Sequence, residues 1–246
     1  HRDGEFIACF DCDHMPTADF LDKTLPHLLN DPGLWLVQTP HSFLTPDPFD
    51  RNMRTHKGTP DENEMFYGAI QQGLDRWNAS FFCGSAAVLR RRAISDAGGF
   101  QGRSITEDAE TSIEMHARGW RSAYVSEPLI AGLQPDTVSS YIGQRQRWLK
   151  GMLQIFIWRN PLLTKGLTTP QRISYLAIQT YWLFPLARAI FILAPLWFLL
   201  SGEVFYLATP EEFIAYTLPF LLAVIAYTNI IFGRLRRPLA SEIYEN

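Results

Sequence analysis

Two carboxylates separated by one residue, Asp11 and Asp13, directly follow a short apolar run at residues 5–10. Where a chain leaves a buried strand, side chains at i and i+2 can converge on one divalent cation and its bound phosphates. Hard oxygen ligands suit Mg²⁺ or Mn²⁺, and ligand sites of α/β proteins lie at this end of their strands. The position therefore favours a metal and phosphate site. His14 is a further ligand, a phosphate contact or a plain turn residue.

A second acidic group, Thr106-Glu107-Asp108, comes just before residues with helical spacing. Such a triplet commonly caps a helix, with the threonine as cap and the carboxylates near the positive end of the helix dipole. A carboxylate at this position could also act as a general base that takes the proton from an acceptor hydroxyl. The sequence pattern by itself leaves both interpretations open.

A third group, Gln144, Arg147 and Trp148, has the form Q-x-x-R-W. Arginine suits a diphosphate by its charge and planar donors. Tryptophan offers a flat apolar face to a sugar ring, and glutamine offers amide hydrogen bonds. The alternative is an interfacial amphipathic helix with an aromatic anchor, since Tyr141 and Met152 continue the same helical spacing among basic residues.

The elements that must position these groups alternate between strands and helices up to about residue 135, which predicts an α/β domain with helices packed on a sheet. Pro26 predicts a kink or early stop in its helix, and residues 39–60 predict a long loop. The predicted strands are residues 5–10, 34–38, 81–89 (two strands around a glycine turn) and 120–125, and the predicted helices are residues 18–30, 61–77, 94–97 and 106–118.

The composition excludes some classes of protein. The net charge is −3, whereas nucleic-acid-binding domains usually carry a basic excess, so no nucleic-acid partner is expected. The sequence has 3 cysteines, which argues against a disulfide framework. Cys9 and Cys12 form a C-x-x-C, but a zinc site needs a second ligand pair, and buried thiols are the expected interpretation.

Two segments, residues 181–200 and 213–232, are apolar over the roughly 20 residues that cross a ~30 Å hydrocarbon core. The connection 201–212 is acidic and the outer flanks are basic. The positive-inside rule then predicts cytoplasmic flanks. Arg188 lies inside the first segment, where a charge faces protein, a wet cavity or the lipid headgroups.

The order D-x-D, T-E-D, Q-x-x-R-W, followed by apolar helices, resembles the processive family 2 glycosyltransferases. Further blocks resemble the catalytic subunits of bacterial cellulose synthases over essentially the whole chain. These blocks are QTPH at 38–41, NEMFYG at 63–68, FFCGS at 81–85, TEDAET at 106–111, AGL at 131–133 and SEIYE at 241–245.

The resemblance implies an order of domains. Residues 1–135 would be the C-terminal part of a GT-A, Rossmann-like glycosyltransferase domain. Interfacial amphipathic helices at 136–180 and transmembrane helices at 181–200 and 213–232 would follow, with a cytoplasmic segment at 233–246.

It also implies roles. Asp11 and Asp13 would bind metal and UDP, and Asp108 would be the catalytic base beside Glu107. The pyrophosphate would be bound by Gln144 and Arg147, and the acceptor by Trp148, Phe82, Cys83, Gly84, Ser85 and His14.

The implied reaction is inverting transfer of glucose from UDP-glucose to the 4-hydroxyl of a growing β-1,4-glucan, which leaves through the membrane helices. The enzyme would be a multi-pass protein of the bacterial inner membrane with a cytoplasmic active site, Mg²⁺ or Mn²⁺, a periplasmic accessory subunit, and regulation by cyclic-di-GMP through another domain. The family's first acidic motif, which binds uridine, is not in this sequence. We therefore expect a fragment that holds part of the site and is inactive alone.

Three alternatives remain at this point. The motifs do not separate cellulose from chitin, hyaluronan or mixed-linkage glucan, although the FFCGS and NEMFYG blocks favour cellulose. A transporter or membrane scaffold fits the apolar segments but has no need of D-x-D at a strand end. A metal-dependent phosphohydrolase would need more His or Asp ligands than the sequence offers.

Overall fold

The computed structural model describes residues 4–54, 62–203 and 207–232, and within this part of the chain a small mixed sheet lies among helices. The predicted cytoplasmic segment 233–246 lies outside the described residues. The strands are β1 Phe6–Cys9, β2 Met15–Pro16, β3 Leu34–Gln38, β4 Ala87–Arg90, β5 Arg121–Tyr124 and β6 Ile130–Ala131. The helices are α1 Phe20–Asn30, α2 Pro48–Met53, α3 Glu62–Met65, α4 Gln71–Asp75, α5 Arg91–Asp96, α6 Glu107–Ala117, α7 Val138–Trp158, α8 Thr169–Tyr181, α9 Phe184–Ser201 and α10 Pro210–Phe232.

The main sheet has the strand order β1-β4-β3-β5. Strand β4 is antiparallel to both neighbours, and β3 and β5 are parallel. Three strand ends, at Cys9, Gln38 and Tyr124, therefore lie at one edge of the sheet beside Ala87, the first residue of β4. The segments that follow β1, β3 and β5 meet there with the segment that precedes β4.

Apolar side chains on both faces of the sheet hold the helices against it. Every residue of β3 and β4 is buried. On one face Phe20 and Leu28 of α1 pack with Val37 and Val88, and on the other Leu89 packs with residues of α5 and α6. Burial on both faces accounts for the continuous apolar runs in these strands.

A third apolar cluster joins helix α6 to α7 and α8. It contains Ile113 of α6, Ile155 of α7 and Tyr175 of α8. Helix α7 begins at a capping box in which Thr137 and Ser140 bond each other's backbone N–H groups. The apolar contacts of this cluster anchor helices α7 and α8 to α6 and so to the sheet domain.

Several predicted elements differ from the structure. The early stop predicted as one alternative at Pro26 does not occur, because α1 continues through it to Asn30; the kink stays a prediction. The predicted loop 39–60 contains α2, which Asp47 caps by accepting hydrogen bonds from Phe49 N and Asp50 N. The predicted strand pair at 81–89 is reduced to β4. In the predicted helix 61–77, a π-helical turn, Phe66–Ile70, separates α3 from α4.

Helix α9 is the one helix among the described residues that is long and apolar enough to cross a membrane, with a mean hydropathy of 1.8. None of its residues is buried. The first predicted span begins late, since Tyr181 ends α8 and α9 starts at Phe184. The second predicted span coincides with the helix α10, but its role as a span stays a prediction.

Candidate active site

Two carboxylates and an imidazole lie together where the chain leaves β1. One ligand atom from each of Asp11, Asp13 and His14 lies within 4.8 Å of the others. Asp11 and Asp13 are exposed, and the His14 side chain is 4% exposed. Oxygen and imidazole donors at this spacing fit a divalent cation such as Mg²⁺ or Mn²⁺.

Ser85 ties this group to the segment before β4. Its Oγ accepts a hydrogen bond from Asp11 N at 2.8 Å and lies 2.6 Å from Nδ1 of His14. Nδ1 is also 3.8 Å from Oδ2 of Asp11. Ser85 is buried, so the hydroxyl fixes both the backbone of Asp11 and the ring of His14.

Aromatic rings continue the wall of the site beside His14. The ring of His41 lies edge-on to His14 at 5.0 Å and stacks on Tyr67 at 4.9 Å. Burial lowers the pKa of His41 to about 4, so the ring is neutral at physiological pH. Because Nε2 donates to the Ser85 carbonyl oxygen at 3.1 Å, Nδ1 is left as an acceptor. Burial raises the pKa of Tyr67 well above its usual value, so this phenol stays protonated.

The side chain of Gln38, at the end of β3, holds the loop 83–86 in place. Its Oε1 accepts from Cys83 N at 3.0 Å, and its Nε2 donates to the Ser85 carbonyl at 2.9 Å. The loop is unusual, since Gly84 and Ala86 have φ angles of 79° and 54°. Glycine adopts such angles freely, whereas alanine does not. The hydrogen bonds of the buried Gln38 amide therefore help to hold the loop in this conformation.

Asp108, in the first turn of α6, directs its carboxylate at this loop. A Cβ on Gly84 would lie 3.4 Å from Oδ2 of Asp108. Ser112 Oγ donates to the Asp108 carbonyl and accepts from Phe82 N, both at 2.9 Å, which fixes α6 to the loop.

The environment of Asp108 favours its protonated form. Burial raises its pKa to about 7, a hydrogen bond from Ala109 N opposes the rise, and the charges of Glu107 and Asp11 add to it. A general base works best with a pKa near the working pH, so Asp108 has the property that this role requires. Thr106 takes the N-cap position without making the expected side-chain hydrogen bond.

The Q-x-x-R-W residues share the face of α7 that points toward the start of α6. In a helix, residues 144, 147, 148 and 151 lie on one side, and Gly151 is pressed against Thr106. A Cβ on Gly151 would be 2.5 Å from Thr106 Cγ2. Trp148 is 37% exposed, and its ring packs edge-on against Trp182 at 6.2 Å.

The predicted site residues therefore fall into three sets. One connected cluster joins the start of α6 to the end of β1 and contains Asp11, Asp13, His14, Gly84, Ser85 and Asp108, with Cys83 beside it. Gln144, Arg147 and Trp148 lie on the adjacent helix face. Glu107 is exposed, and the Phe82 side chain is buried in the core, so Phe82 reaches the site only through its backbone.

Sequence reasoning gave no role to His41, Tyr67, Gln38 or Gly151. Their signals were present in the QTPH and NEMFYG blocks, which were noted for resemblance alone, and in the glycine three residues after Trp148. None of these residues lies within the D-x-D, T-E-D or Q-x-x-R-W motifs, so only the folded chain shows their contacts.

Comparison with known proteins identifies the family. Residues 6–232 match the model of "Glycosyl transferase family group 2". The chain is 45% identical to "Cellulose synthase 2" of Novacetimonas hansenii and 44% identical to "Cellulose synthase catalytic subunit [UDP-forming]" of Pseudomonas fluorescens, in each case over 99% of its own length. It spans 15% of the former and 33% of the latter.

A solved structure has a similar fold. It is a mannosyltransferase from Pyrobaculum calidifontis in complex with GDP-mannose and Mn²⁺, 18% identical, with a TM-score of 0.54 over 98% of this chain and 58% of that one. The family match and this likeness together show a mixed α/β fold of the GT-A type. The chain belongs to glycosyl transferase family group 2.

Proposed function

We propose that this chain is the catalytic centre of a UDP-forming cellulose synthase, which transfers glucose from UDP-glucose to the 4-hydroxyl of a β-1,4-glucan with inversion. The observation that carries the proposal is the carboxylate of Asp108, which has a raised pKa and lies against Gly84 at the sheet edge that also holds Asp11 and Asp13. The identity to cellulose synthases supports the choice of sugar and polymer.

Asp11, Asp13 and His14 would hold a divalent cation. The bound cation would supply positive charge to the diphosphate of the donor and to UDP as it leaves. Gln144 and Arg147 would bind the pyrophosphate from the neighbouring face of α7, because a guanidinium offers planar donors to phosphate oxygens. Mn²⁺ and Mg²⁺ are both compatible with this donor set.

Asp108 would act as the base, with Glu107 beside it. Its carboxylate takes the proton of the acceptor 4-hydroxyl, while that oxygen attacks C1 of glucose from the face opposite UDP. The new C–O bond forms as the bond to UDP breaks, so the configuration at C1 inverts. The lengthened chain then offers a new 4-hydroxyl to the same base.

The acceptor would lie on Trp148 and beside the loop 83–86. A tryptophan face binds a sugar ring without fixing its register, which suits a polymer that advances by one sugar in each cycle. The neutral Nδ1 of His41 would add an acceptor for sugar hydroxyls nearby, and the buried ring of Tyr67 would support it by stacking.

The polymer would leave through a bilayer that α9 and α10 cross. The apolar surface of α9, none of which is buried, supports this location, as do the acidic connection and basic flanks of the two predicted spans. We place the protein in the bacterial inner membrane with the sheet domain in the cytoplasm. A periplasmic accessory subunit and regulation by cyclic-di-GMP belong to the same proposal.

The test uses the full-length enzyme in membranes with radiolabelled UDP-glucose. We expect a polymer that a β-1,4-specific glucanase digests completely, and activity that is lost with EDTA and restored by Mg²⁺ or Mn²⁺. A polymer that resists this glucanase would reject cellulose. Incorporation from UDP-N-acetylglucosamine instead would identify a chitin or hyaluronan type of enzyme.

A further inference from the structure

Gly132 lies against the ring of His14, and the contact leaves no room for a side chain. A Cβ on Gly132 would lie 2.6 Å from Nε2 of His14 and closer still to Cδ2, whereas ordinary van der Waals contact begins near 3.4 Å. The backbone of Gly132 is outside the left-handed region. An alanine would therefore fit the backbone and conflict only with the neighbouring ring.

Backbone hydrogen bonds prevent Gly132 from moving away. Strand β6 pairs with β2 just before it, with Met15 opposite Ala131. Gly132 N donates to the Ser42 carbonyl at 2.8 Å, and the Gly132 carbonyl accepts from Leu44 N at 3.0 Å. An added methyl group would consequently displace the ring and not the glycine.

The opposite edge of the His14 ring faces Ser85 and Asp11. Nδ1 lies 2.6 Å from Ser85 Oγ and 3.8 Å from Oδ2 of Asp11. The rings of His41 and Phe43 contact it edge-on at 5.0 Å and 6.1 Å. The ring is therefore held between Gly132 on one edge and Ser85 on the other, and any shift from Gly132 moves Nδ1 relative to Asp11.

We propose that Gly132 is a positioning residue of the metal site: its missing side chain lets His14 take the orientation in which its imidazole lies with Asp11 and Asp13 within reach of one divalent cation. The inference rests on the proposed function, which places that cation between the two carboxylates. It adds a residue that is about 120 positions away in sequence and makes no bond to the cation. Groups that orient a metal ligand commonly change metal affinity about 10- to 100-fold when altered.

The experiment measures Mn²⁺ binding to the full-length enzyme by electron paramagnetic resonance, without substrate turnover. The variants are Gly132→Ala, His14→Ala, the double variant, and Gly73→Ala as a control at a glycine whose added Cβ would meet nothing within 4 Å. We expect Gly132→Ala and His14→Ala each to weaken Mn²⁺ binding by about tenfold or more. The double variant should bind as weakly as His14→Ala alone, and Gly73→Ala should bind like the parent.

Each of the other outcomes also decides for or against this role of Gly132. Parent-like Mn²⁺ binding by Gly132→Ala, or an additive loss in the double variant, would overturn the role of Gly132 and leave the metal site standing. Absence of Mn²⁺ binding in the parent enzyme would overturn the metal site itself. If Gly132→Ala fails to fold, the double variant is the test: its recovery supports the ring contact, and its failure to fold shows a role unrelated to His14.

Discussion

Asp108 combines a raised pKa with a fixed position against Gly84, and its replacement by asparagine keeps the shape while removing the base. We expect Asp108→Asn to retain UDP binding and to lose glucan synthesis by about 10²- to 10⁴-fold, the usual contribution of a positioned base. Calorimetric titration with UDP and radiolabel incorporation measure the two properties. Glu107→Gln, at an exposed neighbour, should lose much less. Normal synthesis by Asp108→Asn would remove this residue as the base.

As the proposed base, the same carboxylate should set the pH dependence of the reaction. Because the base must be ionised, the turnover rate should fall as the pH drops through the pKa of Asp108, which is about 7 without a cation. A bound divalent cation favours the ionised form, so the acidic limb of the metal-loaded enzyme should lie below pH 7. Turnover at saturating UDP-glucose from pH 5 to 9 tests this, and a rate that stays level down to pH 5 would contradict it.

Trp148 offers its ring to solvent on the face of α7 that points toward the start of α6. Aromatic stacking contributes ~0.5–1.5 kcal/mol beyond buried area, so Trp148→Ala should let the glucan escape roughly two to ten times more often and shorten the product accordingly. Trp158→Ala is the matched control, since Trp158 lies on the same helix with 42% exposure. Product length is read by size-exclusion chromatography, and equal lengths for the two variants would count against a stacking role.

Candidate residues can be named where chemistry is written into a short motif, as for Asp11, Asp13 and Asp108, and their roles stay predictions. Ser85 was predicted only to line the acceptor path, and its hydrogen bond from Asp11 N across 74 positions of sequence was not predictable. His41 is likewise given its tautomer by the Ser85 carbonyl, a contact that no local pattern encodes. The supporting groups depend on the tertiary approach of segments, and this is why only the structure reveals them.

Helix α7 can approach α6 closely because Gly151 lacks a side chain. An added Cβ would overlap Thr106, and overpacking of this kind costs ~1–3 kcal/mol. We expect Gly151→Ala to push the helices apart, lower the thermal midpoint, reduce glucan synthesis and raise the KM for UDP-glucose, since Gln144 and Arg147 of α7 would bind its pyrophosphate. Gly143→Ala, on the same helix with nothing within 4 Å, should be neutral or slightly stabilising. Similar behaviour of both variants would show that the close approach is unimportant.

Among the elements, burial decided which predictions were confirmed. The strand 34–38 was predicted with correct bounds because all five of its residues are buried and apolar runs of this length indicate strands. Pro26 has no N–H to donate to the carbonyl of Asp22, four residues earlier. Because Asp22 is exposed, water can replace this hydrogen bond, and α1 continues past Pro26. The segment 81–86 has strand-like composition, but the left-handed angles at Gly84 and Ala86 keep it out of the sheet.

The whole molecule should be oriented with its sheet domain in the cytoplasm and residues 201–212 on the other side of the membrane. Cys12 is exposed and should react with a membrane-impermeant maleimide only after the cells are permeabilised. A Leu207→Cys variant in a Cys12→Ser background, at a site 88% exposed, should react in intact cells. Labelling is read by mass spectrometry, with Cys12→Ser alone as the blank. Reaction of Cys12 in intact cells would invert the proposed orientation.

The contact between His14 and Gly132 also sets an order of events during synthesis. The two residues are about 120 positions apart, and at ~5–20 residues per second the ribosome delivers the glycine on the order of ten seconds after the histidine. Until then β2 has no partner strand, and the imidazole has no wall behind it. Since Gly132 precedes α9 in the sequence, both partners of this contact are synthesised before that apolar helix.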